Sequence, residues 1–117
     1  MRIGIKHNGR VFWASFISRY RDETDIKLDR DNKSARVRLY DDGSARAICA
    51  DEIGTSEPDA IAVAREYMRL RGLSDWREVR EWHVNQLRRN RRDHRDWARG
   101  DIAAIRAADK AIAALTA

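Results

Sequence analysis

The rhythm of apolar positions changes halfway along this chain. Up to about residue 50 apolar and polar residues alternate, the spacing of half-buried strands; from residue 56 apolar residues recur every three or four positions, the spacing of helices. Ile3 and Ile5 alternate with small or polar neighbours and run into Asn8-Gly9, a two-residue hairpin signal because both turn positions need positive φ. Pairing across that turn sets His7 opposite Arg10 and Ile5 opposite Phe12. Ile3, Ile5, Phe12, Ala14 and Phe16 then share one face, and Val11, Trp13 and Ile17 the other. A strand apolar on both faces is expected to be central or covered by a helix. Ser18 to Asp25 is polar, and Ile26 with Leu28 predicts a short strand before a turn over 29–33. Ala35, Val37 and Leu39 alternate with Arg36, Arg38 and Tyr40, and Asp41-Asp42-Gly43 suits a three-residue loop with glycine in the left-handed position. That register faces Leu39 with Ala45, Val37 with Ala47 and Ala35 with Cys49. It leaves Arg36, Arg38, Tyr40, Arg46 and Ile48 outside.

The second half reads as helices. Ser56 can cap, Asp59 stands three residues on, and Pro58 is tolerated in a first turn. Ala60, Ile61, Ala64, Tyr67 and Met68 form an apolar stripe. Gly72-Leu73 predicts a stop and Ser74-Asp75 a new cap. The following helix is expected to run unbroken from Trp76 to Arg99, roughly 37 Å at about 1.5 Å per residue, with Trp76, Val79, His83 and Leu87 inward. Gly100-Asp101 breaks and recaps. Ile102, Ile105, Ala108, Ile112 and Leu115 then make an amphipathic helix that folds back as an antiparallel partner or packs on a second copy, a homodimer through residues 101–116. The expected architecture is α+β: a small antiparallel sheet of two hairpins, about four strands, followed by three helices with the middle one long. It makes one domain over 1–117, strand-rich over 1–55 and helical over 56–117.

Charge adds a partner class to this picture. The chain has 117 residues and a formal net charge of +5, and residues 88–99 alone, with six Arg and two Asp, contribute +4 of it. On one helix Arg88, Arg92, Arg95 and Arg99 share a face with Arg91 on its shoulder, a guanidinium row suited to phosphates. Arg36, Arg38 and Arg46 make a second basic surface, in which Arg38 opposite Arg46 is a like-charge pair that costs stability unless an acid or anion sits between them. The leading expectation is a non-enzymatic nucleic-acid-binding protein that uses Arg88, Arg91, Arg92, Arg95 and Arg99 on the helix and Arg36, Arg38 and Arg46 on the hairpin. The hairpin would enter a major groove as a two-stranded ribbon. The alternative is a small inhibitor or adaptor that docks on an acidic protein surface, for example a phage-encoded protein that blocks a host defence nucleoprotein, anti-CRISPR-like in action.

Catalytic signals are sparse. One cysteine, Cys49, gives no disulfide framework, and its place in an alternating strand predicts burial. His83 and His94 are separated by about 16 Å of helix rise, too far for one metal ion. Asp25-Ile26-Lys27 has the acid-x-Lys spacing of a metal-dependent nuclease strand. Yet the first acid in the chain is Asp22, so the second ligand that chemistry needs upstream is missing. No glycine-rich phosphate loop occurs. No cofactor and no metal are expected. The opening residues lack an apolar leader and no stretch reaches the roughly 18 apolar residues of a membrane span, which places the expectation in the cytoplasm and away from membranes.

Overall fold

The computed structural model describes residues 2–90 and 95–117, and these divide into two compact units, Met1–Met68 and Arg69–Ala117. The fold is α+β, an antiparallel sheet followed by helices, with five strands rather than four and two helices rather than three. The strands are β1 (Arg2–His7), β2 (Arg10–Tyr20), β3 (Glu23–Arg30), β4 (Lys33–Tyr40) and β5 (Ala45–Ile48), paired in sequence order as a meander. A short 3₁₀ turn, Ala50–Ile53, leads to α1 (Glu57–Asn90) and then α2 (Arg95–Thr116).

Both predicted hairpins form in the predicted register. Ile5 faces Phe12 and Ile3 faces Ala14 across Asn8-Gly9, whose φ angles are 51° and 76°. Leu39 faces Ala45, Val37 faces Ala47 and Arg38 faces Arg46, with Gly43 at φ 91° in the loop. The pairing ends at Ile48. Cys49 turns left-handed at φ 63° and is exposed, so the expectation of a core cysteine opposite Ala35 is overturned.

The additional strand length comes from 18–25. The β2–β3 ladder shifts register between Phe16 and Ser18, so that Phe16 faces Ile26 while Ser18 faces Asp25. This bulge reverses the alternation, and a reading that assumed unbroken period two took a paired, polar stretch for a loop. Val11, Trp13 and Ile17 lie in the second strand of five, an interior position, yet their face is not covered and all three are exposed.

The buried face belongs to Ile5, Phe12, Ala14, Ile26, Leu28, Ala35 and Val37 from the sheet and Ala60, Val63, Ala64 and Tyr67 from the first turns of α1. Polar contacts hold that helical segment in register with the strands. The Phe16 amide donates to the Tyr67 hydroxyl at 3.0 Å, Arg65 donates to the Gly43 carbonyl at 2.7 Å, and the Ala47 amide donates to Glu57 at 3.2 Å. Asp59 joins His7 at 3.0 Å and the Ser56 hydroxyl at 3.1 Å, and its own amide donates to Ser56 Oγ at 3.3 Å as in a helix N-cap.

Residues 69–117 form an antiparallel helical pair. Arg69 donates to the Leu115 carbonyl at 2.8 Å, Arg80 to Asp109 at 2.6 Å, and His83 meets Asp101 at 2.9 Å. One straight helix from Trp76 to Arg99, broken only at Gly100, would hold His83 and Asp101 about 27 Å apart. The long unbroken helix is therefore corrected to a helical hairpin, and the C-terminal helix takes its antiparallel partner within the chain. Neither glycine stops a helix: α1 continues through Gly72 and α2 through Gly100, and positive φ among glycines is confined to Gly9, Gly43 and Gly54.

This makes a testable distinction. Alanine is about 1 kcal/mol better than glycine inside a helix. A Cβ at Gly72 would meet Leu115 Cδ1 at an ordinary 3.7 Å, and one at Gly100 would meet nothing within 4 Å. Gly72→Ala and Gly100→Ala are each expected to stabilise the protein by about 0.5–1 kcal/mol in urea or thermal unfolding. A left-handed cap at Gly72 would give the opposite sign.

Candidate nucleic-acid interface

Arginines dominate the surface, and the structure sorts them by what they hold. Arg10 and Arg30 donate to the carbonyls of Gly54 and Ile53 and tie down the loop that precedes α1. Arg19 makes a two-pronged contact with Asp41, at 3.0 and 2.7 Å. Arg65, Arg69 and Arg80 hold the helix contacts given above. These side chains serve the fold.

Arg38 belongs with them. Its Nε and one terminal nitrogen reach the two oxygens of Asp25 at 2.9 and 3.3 Å, and Glu23 lies 3.4 Å away. Asp25 is only 7% exposed. The hydrogen bond from Arg38 holds its carboxyl below the usual range against the opposing effect of burial. The predicted like-charge clash of Arg38 with Arg46 is thus relieved by an acid from the neighbouring strand, and Arg38 is withdrawn from the set of candidate ligand contacts. The same contact occupies the carboxylate of the Asp25-Ile26-Lys27 triplet.

Arg36 and Arg46 remain. Both are exposed on the outer face, and neither joins any ion pair found among the described residues. Register places Lys27 directly opposite Arg36, and Ile48 opposite Arg36 on the other side. Lys27 reaches only Asp29, at a loose 3.8 Å. Two like charges facing each other on adjacent strands destabilise a sheet by a few tenths to about 1 kcal/mol. The same face carries Arg2, Lys6, Val11 and Trp13, with the Arg2 guanidinium 5.0 Å from the centre of the Trp13 ring. Trp13, Lys6, Arg2 and Lys27 were not among the predicted contacts. The signal for them was the second apolar face of β2, which the pattern assigned to burial.

The predicted helix row divides differently. Arg91 and Arg92 lie outside the described residues. Arg88 stands in the last turn of α1, and Arg95 and Arg99 in the first turns of α2, so they do not share one helix face. All three are exposed and join none of the ion pairs found among the described residues.

His7, Asp59 and Ser56 line a cavity of about 520 Å³ with Arg10 and Asp51. Asp59 stands between the other two, so the histidine does not face the serine hydroxyl and cannot take its proton. The hydrogen bond to His7, then that to Ser56, holds the Asp59 carboxyl below its ordinary range. Among the described residues no three His, Cys, Asp or Glu side chains come together as a metal site, and no helix is long and apolar enough to cross a membrane. No family model, curated protein or solved structure matches the chain.

Proposed function

We propose that this protein binds nucleic acid without catalysing a reaction, and that its principal contact surface is the open face of the sheet. The observation that carries the reading is Arg36 opposite Lys27 with Arg46 nearby. Lys27 and Arg36 are like charges set opposite each other at a cost to the fold, Lys27 has only a loose contact with Asp29, and Arg36 and Arg46 join no ion pair found among the described residues. An anionic ligand would convert that cost into binding. Arg88, Arg95 and Arg99 are further exposed cations on the helical hairpin that can add to the attraction. The test is an electrophoretic shift with DNA and RNA at 50 mM salt. Binding is expected there, with a steep loss by 200 mM as counterion release requires. Absence of any shift at 50 mM with both nucleic acids would overturn the reading.

A protein partner is the second reading, favoured by Trp76, Val79, Trp82, Trp97 and Ile102, which are exposed on residues 69–117 and which a phosphate backbone would not use. A pull-down after nuclease treatment tests it: a specific protein recovered under those conditions supports it, and loss of all bound material with nuclease removes it. Light scattering checks the homodimer through residues 101–116, which predicts a mass that rises with concentration.

A further inference from the structure

The geometry points to single-stranded nucleic acid as the ligand of the sheet face, with one base stacked on Trp13 and the strand's phosphates carried across Lys27, Arg36 and Arg46. This inference rests on the nucleic-acid reading above and narrows it.

The indole of Trp13 lies over Gly4, its cross-strand neighbour on β1. A Cβ at Gly4 would stand 3.3 and 3.4 Å from two atoms of the six-membered ring. Glycine therefore leaves room for the six-membered ring beside β1 that a larger residue would contest. The residue is still 44% exposed, and a cation, Arg2, already rests over the ring. A partly exposed ring with a guanidinium 5.0 Å from its centre offers a π-surface on which a base can stack by displacing that guanidinium, since every base has a π-face. A depression of about 600 Å³ adjoins it, lined by Arg2, Trp13, Asp29, Asn32, Lys33 and Ser34.

Charge is distributed along the face in the way a strand needs. The Trp13 end mixes Arg2, Arg30 and Lys33 with Asp29 and Asp31, and the two acids lie 3.8 Å from Lys27 and Arg30 respectively. Further exposed cations continue across the sheet, where Lys27, Arg36 and then Arg46 sit on β3, β4 and β5. With strands about 4.8 Å apart and residues about 3.3 Å apart, Arg36 stands roughly 12 Å from Trp13. That is within two nucleotides of an extended strand.

A duplex suits the face less well. β4 and β5 form the edge of a five-stranded sheet about 19 Å wide, not a free two-stranded ribbon, and a major groove is about 12 Å across. The predicted ribbon insertion is set aside for this reason. Val11 and Ile48 are also exposed on this face; unstacked bases would cover them and a phosphate surface would not.

The test is fluorescence anisotropy at 50 mM salt with labelled ten-nucleotide single strands of DNA and of RNA and with a twenty-base-pair duplex. Single strands are expected to bind at least tenfold more tightly than the duplex. Trp13→Ala should weaken single-strand binding roughly 5- to 100-fold, the range of one lost stack, while Trp13→Phe keeps most of it. Gly4→Val should weaken it by lifting the indole. Thermal melts confirm that each variant is folded; Gly4→Val against Trp13→Phe preserves the contrast if Trp13→Ala unfolds. Preference for the duplex, or single-strand binding unchanged in Trp13→Ala, overturns this inference while the nucleic-acid reading stands. Binding of neither form overturns both.

Discussion

Replacing Lys27, Arg36 and Arg46 together by alanine is expected to stabilise the sheet and weaken nucleic-acid binding in the same molecule. The stability gain comes from removing the Lys27–Arg36 and Arg38–Arg46 cross-strand repulsions, less the loose Lys27–Asp29 contact and the attraction of Arg36 for Asp25, a few tenths of a kcal/mol in all. The binding loss comes from three phosphate contacts. For a single strand each contributes about 0.7 to the slope of log affinity against log salt, so the slope should fall by about 2 and affinity at 50 mM by on the order of 100-fold. Urea unfolding and a salt titration on the same preparations measure both. A triple variant that is more stable and binds as tightly as the parent would show that the face is only a solvated surface.

Arg38→Met is expected to act in the opposite direction. It leaves the Asp25 carboxylate, 7% exposed, without the guanidinium that offsets its burial. Because Arg38 is itself 40% exposed the pair is only partly buried, and the variant is expected to be less stable than the parent at pH 7 by less than a fully buried pair would cost. The pH dependence identifies the cause. In the parent the Asp25 pKa is held below its unfolded value near 3.9, so the pair's stabilisation is present above about pH 4 and is lost as pH falls through the folded value. In Arg38→Met burial pushes the same carboxyl up, and protonation relieves it. The stability gap between parent and variant should therefore narrow as pH falls from 7 towards 3. A gap independent of pH would mean that Arg38 contributes packing alone. Asp41, held low by its hydrogen bond with Arg19, adds to the acid sensitivity of the parent and is common to both proteins.

Several elements were legible in the residue order because their signals are local. Asn8-Gly9 and Asp41-Asp42-Gly43 prescribe backbone angles that few residues tolerate, and each sets a register by itself. Alternation then assigns Ile5, Phe12, Val37 and Leu39 to one face and Arg36, Arg38 and Arg46 to the other. The Ser56–Asp59 cap is equally local. Where a local signal was read alone it misled: Gly72 and Gly100 look like helix stops, but neither takes the left-handed conformation that would make it one.

By itself, then, the sequence determined the α+β order, both hairpin registers, the start of the first helix and the presence of exposed arginine on the outer face. Only the tertiary structure decided which arginines are free. Asp25 reaches Arg38 because β3 pairs with β4 in an unbroken register that sets the two directly opposite. His83 reaches Asp101 because two helices run antiparallel, which turns an expected guanidinium row into side chains on separate helices. The Trp13 ring reaches over the neighbouring strand because a glycine there leaves it room. Each of these depends on a partner distant in sequence, and a charge or a ring has no chemical role until that partner is known.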